Sequence, residues 1–220
     1  MKNVKAIIFD AYGTLFDVNS AAEKCKDKIG DKWEGFANYW RTTQLEYTWL
    51  RSLMKRHKNF WQITEDSLDK SMNAFNMDKS MRNELLDLYK ILSPFSEVPE
   101  VLKNLKKKNY KLAILSNGTP SLLNELVKSN NLENVFDDIL SIEEVKIYKP
   151  DSKVYDIPVK KYKIEKNEFA YLSANTWDVS GAGNYGFNPV WVNRNNSIFD
   201  NLDYVPKYQI ENLSKLIDIV

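Results

Sequence analysis

The sequence has very few of the residues that form disulfides, zinc sites and cysteine-based active sites. Among its 220 residues, Cys25 is the only cysteine and His57 the only histidine. A single cysteine excludes an internal disulfide and favours a reducing cytosol. The three or four nitrogen or sulfur ligands of a zinc site cannot be assembled from these two residues. A nucleophilic Cys25–His57 pair is also disfavoured, because His57 lies in a basic run, residues 55–58, typical of an exposed helix end.

An excess of charge and a long apolar run are absent as well. The 31 basic side chains nearly balance 30 acidic ones, so the formal net charge is +1. We therefore expect neither nucleic acid nor an anionic membrane surface as a partner. No apolar run approaches the roughly 20 residues of a membrane helix, and residues 1–5 lead into a strand without the apolar centre of a signal peptide. These patterns predict a cytoplasmic protein.

Four short apolar runs, each followed by polar residues, predict buried parallel strands. The runs are residues 6–9, 112–115, 169–172 and 189–192. Helical patterns alternate with them, at residues 100–108, 119–128 and from about 149 towards 162. This alternation predicts an open parallel α/β sheet whose ligand crevice lies outside the carboxyl ends of the strands. Pro158 should shorten or distort the last of these helices.

The stretch from about residue 19 to residue 93 contains no clear strand pattern and concentrates aromatic residues. Leu45, Trp49 and Leu53 recur at helical spacing within it. Such a helical insertion after the first strand would lie over the carboxyl edge of the sheet as a lid. We predict a core domain of residues 1–17 and 94–220 and a helical cap domain of residues 18–93.

Polar residues follow the predicted strands and should meet at one edge of the sheet. They are Asp10, Ser116 with Asn117, Lys149, and the loop of residues 173–178. A carboxylate near a lysine is, by itself, most simply explained as a solvated ion pair. Their joint placement after successive parallel strands favours a reaction site instead.

These motifs resemble, in order and spacing, those of the haloacid dehalogenase superfamily. Residues 9–15 look like its first motif, with Asp10 as the nucleophile, and residues 115–118 match the second. Lys149-Pro150 matches the third motif, and residues 173–178 contain the fourth. The resemblance covers nearly the whole chain. It implies a Rossmann-like open parallel sheet with a cap resembling a four-helix bundle, inserted after the first strand.

Two departures separate this chain from the phosphatases that dominate the superfamily. Tyr12 stands where the phosphatases have a second aspartate, which serves as general acid and helps to bind magnesium. Ala174 stands four residues before Asp178, where an acidic metal ligand is usual. Asp10 and Asp178, facing Lys149, would make a poor magnesium site. We therefore expect no metal and no other cofactor.

The same residues are similar to the L-2-haloacid dehalogenase branch of the superfamily. The similarity is carried by residues 10–17, by Arg41 with residues 44–49, and by Ser173-x-Asn175-x-Trp177-Asp178. Halide is a good leaving group, so its displacement needs no general acid. The resemblance implies hydrolysis of short-chain (S)-2-haloacids to (R)-2-hydroxyacids and halide, with inversion, through an ester on Asp10. It also implies a homodimer.

The resemblance further implies a role for each matching residue. Asp10 attacks the halogen-bearing carbon and Lys149 pairs with it. Asp178 is the base that activates water, and Asn175 positions it. The residues implied to hold the carboxylates in line are Thr14 and Ser173, and those implied to cradle the halide are Arg41 and Asn117.

The remaining residues are implied to contact the substrate. Ser116 and nearby backbone N–H groups would hold its carboxylate. The residues that would surround its alkyl group or match other positions of the family site are Ala11, Tyr12, Leu45, Phe60, Tyr155 and Trp177.

Alternatives stay open at two of these positions and for the whole protein. Arg41 could form a surface cation–π pair with Trp40, and Tyr155 could serve only in helix packing. A magnesium-dependent phosphatase of the same fold is the alternative enzyme. A binding protein that has kept the fold but lost catalysis is the alternative outside the enzymes.

Overall fold

A parallel β-sheet forms the centre of the protein in a computed structural model that describes residue 1 and residues 3–220. The described residues form six strands in the order β3-β2-β1-β4-β5-β6, and every neighbouring pair is parallel. The strands are β1 (Ala6–Phe9), β2 (Lys111–Ser116), β3 (Asp138–Ser141), β4 (Phe169–Ser173), β5 (Asn188–Val192) and β6 (Tyr208–Ile210). The predicted α/β class is confirmed.

Strand β1 occupies the middle of the sheet and determines where Asp10 lies. All four of its residues are buried, as expected for a strand with both faces covered. Phe9 pairs with Ile114 of β2 on one side and with Leu172 of β4 on the other. Asp10, which follows directly, is therefore flanked by the carboxyl ends of both neighbouring strands.

The two edge strands β3 and β6 were not predicted. β3 begins with a charged residue, Asp138, and only its last two residues are buried. β6 is three residues long, and only Ile210 is buried. Each strand has one partner in the sheet, and neither has the continuous apolar run that identifies a central strand.

Helices follow the strands of the core in the predicted alternation. They are α6 (Val98–Lys107), α7 (Pro120–Ser129), α8 (Ser152–Tyr162) and α9 (Thr176–Tyr185). Of the two effects expected of Pro158, shortening of the third helix was wrong, because α8 continues through it to Tyr162, whereas distortion of the helix stays a prediction. Pro158 and Ile157 are both buried in this helix, and burial of apolar surface favours the folded state, against the loss of one backbone hydrogen bond.

Residues 19–93, all of which the structure describes, contain helices and no strand, so the predicted helical insertion is confirmed. Its α-helices are α1 (Ser20–Lys24), α2 (Lys26–Ile29), α3 (Trp33–Leu53), α4 (Phe60–Ala74) and α5 (Arg82–Lys90). α3 packs mainly against α4, while α1 packs against both α3 and α5. The domain boundaries near residues 18 and 93 stay a prediction.

The chain enters and leaves this insertion at adjacent positions. The N–H of Asp17 donates to the carbonyl of Ser93 at 2.9 Å, and the N–H of Phe95 donates to the carbonyl of Leu15 at 3.0 Å. The two chain segments that connect the helical insertion to the sheet are therefore hydrogen-bonded to each other, a short distance along the chain beyond Asp10.

The basic run of residues 55–58 lies in the loop after α3, beyond the helix end. Its histidine, His57, is half-buried and pairs through Nε2 with Glu143 Oε2 at 3.0 Å. No helix of the described residues is both long enough and apolar enough to cross a membrane.

Candidate active site

The Asp10 carboxylate lies at the carboxyl edge of the sheet with only 5% of the residue exposed. Its backbone N–H donates to the carbonyl of Leu172 at 2.8 Å, which continues the pairing of β1 with β4. Gly13 then turns the chain with a φ of +85°, a conformation that favours glycine. The turn brings Thr14 back over Asp10, and the Thr14 hydroxyl donates to Asp10 Oδ2 at 3.0 Å.

The loop after β4 supplies further donors to the same oxygen of Asp10. Asn175 Nδ2 donates to Oδ2 at 2.9 Å, and the Ser173 hydroxyl lies 3.5 Å from it. Asn175 stands at the N-cap of α9, yet its side chain makes no capping bond. Its amide is therefore available to Asp10. Thr14, Asn175 and Ser173 together restrict the orientation of the carboxylate.

Lys149 joins the two buried carboxylates of the site. Its ammonium nitrogen lies 2.9 Å from Asp10 Oδ1 and 3.2 Å from Asp178 Oδ2. The lysine has no exposed surface, and a buried charge of this kind requires such partners. Its backbone N–H donates to Asn117 Oδ1 at 3.2 Å, which connects the second and third motifs.

Asp178 is fully buried and accepts hydrogen bonds on both carboxylate oxygens. The Tyr155 hydroxyl donates to Oδ1 at 2.8 Å, and the Tyr171 hydroxyl lies 3.0 Å from Oδ1 and 2.8 Å from Oδ2. Burial raises the pKa of Asp178, and the nearby negative charge of Asp10 raises it further. Lys149 and the two tyrosine hydroxyls partly oppose this rise in the pKa.

Tyr171 is the residue of this network that sequence reasoning missed. It lies inside the apolar run of β4, which looked like a strand and nothing more. Its hydroxyl was the one feature in the sequence that could have indicated a role in the network, because a buried tyrosine hydroxyl normally finds a polar partner. Tyr155, by contrast, was predicted as a residue of the family site. Its ring packs edge-on against that of Tyr171 at 5.6 Å and its hydroxyl contacts Asp178, while its contact with substrate stays a prediction.

A glycine in α9 permits this contact between Tyr155 and Asp178. A Cβ atom at Gly181 would lie 2.5 Å from the Tyr155 hydroxyl and 2.7 Å from Cβ of Pro150. Any side chain at this position would push α8 away from α9. Gly181 is thus a second contributor that the sequence did not reveal.

Arg41 extends from α3 towards the loop after β1. Its Nη2 lies 3.5 Å from the carbonyl oxygen of Tyr12, and its Nη1 donates to Gln44 Oε1 at 3.0 Å. Trp40 is buried, and its indole N–H donates to the carbonyl of Thr64 at 3.1 Å. This burial excludes the surface cation–π pair between Arg41 and Trp40.

Aromatic side chains line the space between the helices and the sheet. The Tyr12 ring lies 5.1 Å from that of Phe60, and the Trp177 ring meets that of Trp49 edge-on at 5.4 Å. Leu45 lies one helical turn after Arg41 on α3 and is half-buried. A groove of about 630 Å³ is bordered by both tryptophans and by Lys149. The groove is therefore largely apolar and lies next to the buried Lys149.

Two predicted substrate contacts lie outside the bonded network of Asp10. The Ser116 hydroxyl is buried and accepts the N–H of Gly118 at 3.1 Å. The carbonyl of Ala11 accepts the N–H of Leu15 at 2.9 Å, so this residue shapes the turn after β1. The roles in substrate binding predicted for Ser116 and Ala11 remain predictions.

The donor set at this edge of the sheet does not fit a magnesium ion. The Lys149 ammonium lies between the two carboxylates, in the space a cation would need. Ala174 offers a backbone N–H, which donates to the Thr14 hydroxyl oxygen at 2.8 Å, and no acidic side chain. No cluster of three or more His, Cys, Asp or Glu residues suited to a metal occurs in the part of the chain that the structure describes.

Comparison with known proteins identifies the class to which this site belongs. The family model described as haloacid dehalogenase-like hydrolase matches residues 7–192, a span that contains every residue of the network above. The chain belongs to this family.

Individual relatives narrow the comparison further. The chain is 39% identical to an (S)-2-haloacid dehalogenase of Pseudomonas sp. strain YL, over 100% of this chain and 95% of the relative. It is 38% identical to an (S)-2-haloacid dehalogenase of Pseudomonas fluorescens, over 98% of this chain and 96% of that protein.

Solved structures agree with these relatives. A crystal structure of a dehalogenase superposes with a TM-score of 0.98 at 36% identity and covers 100% of this chain and 98% of its own. The L-2-haloacid dehalogenase of Xanthobacter autotrophicus with chloropropionic acid covalently bound superposes with a TM-score of 0.89 at 29% identity, with 98% of each chain covered.

Proposed function

We propose that this protein is an (S)-2-haloacid dehalogenase, which converts short-chain (S)-2-haloacids to (R)-2-hydroxyacids and halide. The observation that carries the proposal is the buried Asp10–Lys149–Asp178 arrangement, in which a lysine occupies the space of a cation. Tyr12 replaces the general acid that a phosphatase needs. The full-length relatives named (S)-2-haloacid dehalogenase support the choice of substrate.

In the first half-reaction, an Asp10 oxygen attacks the alpha carbon of the haloacid from the side opposite the halogen. A carbon–oxygen bond forms as the carbon–halogen bond breaks, the halide leaves with the electron pair, and the carbon inverts. The donors from Thr14 and Asn175 hold the carboxylate in line for this attack. The product of this step is an ester of Asp10.

The departing halide requires positive or N–H groups where its charge develops. Arg41 supplies a guanidinium from α3, close to the loop after β1. The oxygen of the Asn117 amide accepts the N–H of Lys149, so its nitrogen is the end that donates to a halide. Arg41 and Asn117 approach from different elements and together form the proposed halide cradle.

In the second half-reaction, water attacks the carbonyl carbon of the ester. Asp178 accepts a proton from that water, and the bond from the carbonyl carbon to the product oxygen breaks. The proton passes to the product oxygen, and the Asp10 carboxyl loses its remaining proton to solvent. Esterification removes the charge of Asp10, which leaves Asp178 as the charged partner of Lys149. Asn175 and Ser173 keep the ester carbonyl in place.

The alkyl group and carboxylate of the substrate are assigned to different surroundings. The aromatic and aliphatic side chains that surround the alkyl group are Tyr12, Leu45, Phe60 and Trp177. The Ser116 hydroxyl and backbone N–H groups of its loop hold the substrate carboxylate, and Ala11 shapes the turn beneath it. Tyr155 acts through Asp178, to which its hydroxyl is bonded.

We further propose that the reaction needs no metal or other cofactor and that the protein is a cytoplasmic homodimer. The lysine between the carboxylates supports the first point. The apolar side chains at the end of α3, with Leu53 79% exposed, support a contact between two copies. Light scattering in solution tests the oligomeric state.

The decisive experiment measures halide released from each enantiomer of 2-chloropropionate, with and without a chelator. We expect release from the (S)-enantiomer alone, formation of (R)-lactate, and no effect of EDTA. Asp10→Asn is the matched variant and should release no halide and form no ester adduct detectable by mass spectrometry. Retention of configuration would contradict direct displacement, and loss of activity in EDTA would contradict a metal-free reaction.

The two alternatives make different predictions in the same assay. A magnesium-dependent phosphatase would hydrolyse p-nitrophenyl phosphate with magnesium and release no halide. A binding protein without catalysis would release neither product from any 2-haloacid or phosphate ester. Either result would reject the proposed function.

A further inference from the structure

Arg194, in the loop after β5, contacts the turn that carries Thr14 although it belongs to none of the motifs described above. Its Nη2 donates to the carbonyl oxygen of Thr14 at 2.8 Å. Its Nη1 pairs with Glu97 Oε1 at 2.8 Å, and the side chain is only 10% exposed. The residue therefore joins the nucleophile's turn to the start of α6 from within the protein.

The guanidinium is held on its face as well as at its edge. It stacks over the Phe95 ring, with its central carbon 3.7 Å from the ring centroid. Glu97 is anchored in turn, because its Oε1 also accepts the N–H of Leu213 at 3.2 Å. A planar guanidinium fixed in this way can direct a second N–H at one acceptor in a defined direction. That acceptor is the carbonyl of Thr14.

Thr14 is the residue through which this orientation reaches the nucleophile. Its hydroxyl donates to Asp10 Oδ2 at 3.0 Å and accepts the N–H of Ala174 at 2.8 Å. The direction of that hydroxyl depends on the backbone at Thr14, whose carbonyl Arg194 holds. A shift of this backbone would change the angle at which Asp10 meets the substrate carbon.

We infer that Arg194 is a positioning residue, which fixes Thr14 and thereby holds the Asp10 carboxylate in line for attack. The inference rests on the proposed function. It concerns the first half-reaction, because carboxylate orientation governs displacement at carbon. Arg194 itself does not contact the reacting atoms.

Two variants of Arg194 test this role by single-turnover halide release. Arg194→Gln removes both the positive charge and the planar pair of N–H donors, whereas Arg194→Lys keeps the charge opposite Glu97 but lacks the planar pair of donors. In both variants we expect the rate of halide release to fall about tenfold while KM stays within about twofold. If Arg194→Gln does not fold, Arg194→Lys alone decides the outcome.

Glu97→Gln is the matched control, because it removes the charge from the other arm and leaves the Thr14 contact in place. We expect a lower melting temperature, because the buried guanidinium loses its counter-charge, and a rate of halide release within about twofold of the unaltered protein. If Arg194 only stabilised the fold, the rate of halide release would instead fall equally in Glu97→Gln and Arg194→Gln.

A double-mutant cycle with Thr14→Val separates the two explanations further. If Arg194 acts through the Thr14 hydroxyl, Arg194→Lys should have little further effect on halide release once that hydroxyl is gone. Additive losses would overturn the inference, as would an unchanged rate in both Arg194 variants. If the inference is overturned but the unaltered protein releases halide, the proposed function stands. If the unaltered protein releases no halide, both the inference and the proposed function are rejected.

Discussion

In the proposed mechanism, Asp178 is the single residue on which the second half-reaction depends most. Burial raises its pKa above the ordinary value of 3.8, and this cause remains after esterification has removed the charge of Asp10. The group serves as a base only when ionised, so ester hydrolysis should be lost as the pH falls through this raised pKa. The acid limb of the hydrolysis step should therefore lie above pH 3.8.

The Tyr171 hydroxyl provides a direct test of this assignment. Its hydrogen bonds to Asp178 stabilise the carboxylate and lower the pKa, so Tyr171→Phe should raise that pKa further. We expect the acid limb of single-turnover ester hydrolysis to move to higher pH, with halide release less affected. The variant keeps the ring near the Lys149 ammonium, whose nitrogen lies 5.3 Å from the ring centroid.

Tyr162→Phe is the control for this substitution, since Tyr162 donates to Asp138 at the edge strand β3. It should leave the pH profile of hydrolysis unchanged. An acid limb that stays in place in Tyr171→Phe would contradict the role of Asp178 as base.

At the level of whole elements, the side chain of Gln44 joins three helices of the insertion, α3, α4 and α5, by hydrogen bonds. Gln44 of α3 donates through Nε2 to the Thr64 hydroxyl of α4 at 2.7 Å and to the Tyr89 hydroxyl of α5 at 3.0 Å. Its Oε1 accepts from Arg41 at 3.0 Å. The position of the proposed halide donor thus depends on the packing of all three helices.

Gln44→Leu should therefore disturb both the cap and the chemistry. The buried hydroxyls of Thr64 and Tyr89 lose a partner, and we expect a loss of about 1–3 kcal/mol in the free energy of unfolding. Because Arg41 loses its anchor, halide release should slow as well. Chemical denaturation and single-turnover kinetics measure the two effects.

Gln62→Leu is the matched control on α4, because Gln62 is exposed. Among the described residues, its side chain donates to Asp66, and its backbone N–H donates to Asn59, the N-cap residue of α4. It should change the free energy of unfolding by no more than about 0.5 kcal/mol. Equal losses in the two variants would show that the Gln44 contacts contribute nothing specific.

At the scale of the whole molecule, buried tyrosines of the active site make the free energy of unfolding depend on pH in the alkaline range. Burial raises the pKa of Tyr12, Tyr155 and Tyr171 well above the ordinary value of 10.0. The unfolded chain loses these protons near pH 10.0, whereas the folded protein retains them. Their contribution to stability is therefore complete below that pH and is lost as the pH rises above it.

We expect the free energy of unfolding to fall above pH 10.0, by about 1.4 kcal/mol per pH unit for each of the three tyrosines. Urea denaturation at a series of pH values measures the slope. Tyr12→Phe should reduce it by one tyrosine's share. Its hydroxyl has no hydrogen-bond partner among the described residues, so the variant should fold normally. An unchanged slope in Tyr12→Phe would refute this account.

The central strands and most of the bonded network could be predicted, because continuous apolar runs and polar residues after them are local features. The two edge strands could not, since β3 and β6 are short and half-covered. Tyr171, Gly181 and Arg194 escaped prediction for another reason. Each is ordinary in its local context, and its importance comes from a partner distant in sequence, as with Arg194 and Thr14.

The sequence by itself determined the parallel sheet, the helical insertion and the placement of Asp10 at the end of the first strand. The periodicity of apolar residues and the resemblance of the motifs were sufficient for these conclusions. The sequence had already led us to expect Asp10 and Asp178 to face Lys149. Only the tertiary structure decided that the three groups are buried together and that tyrosine hydroxyls surround Asp178. The reason is physical, because charge pairing and burial depend on distances between separate strands, and spacing along the chain does not specify those distances.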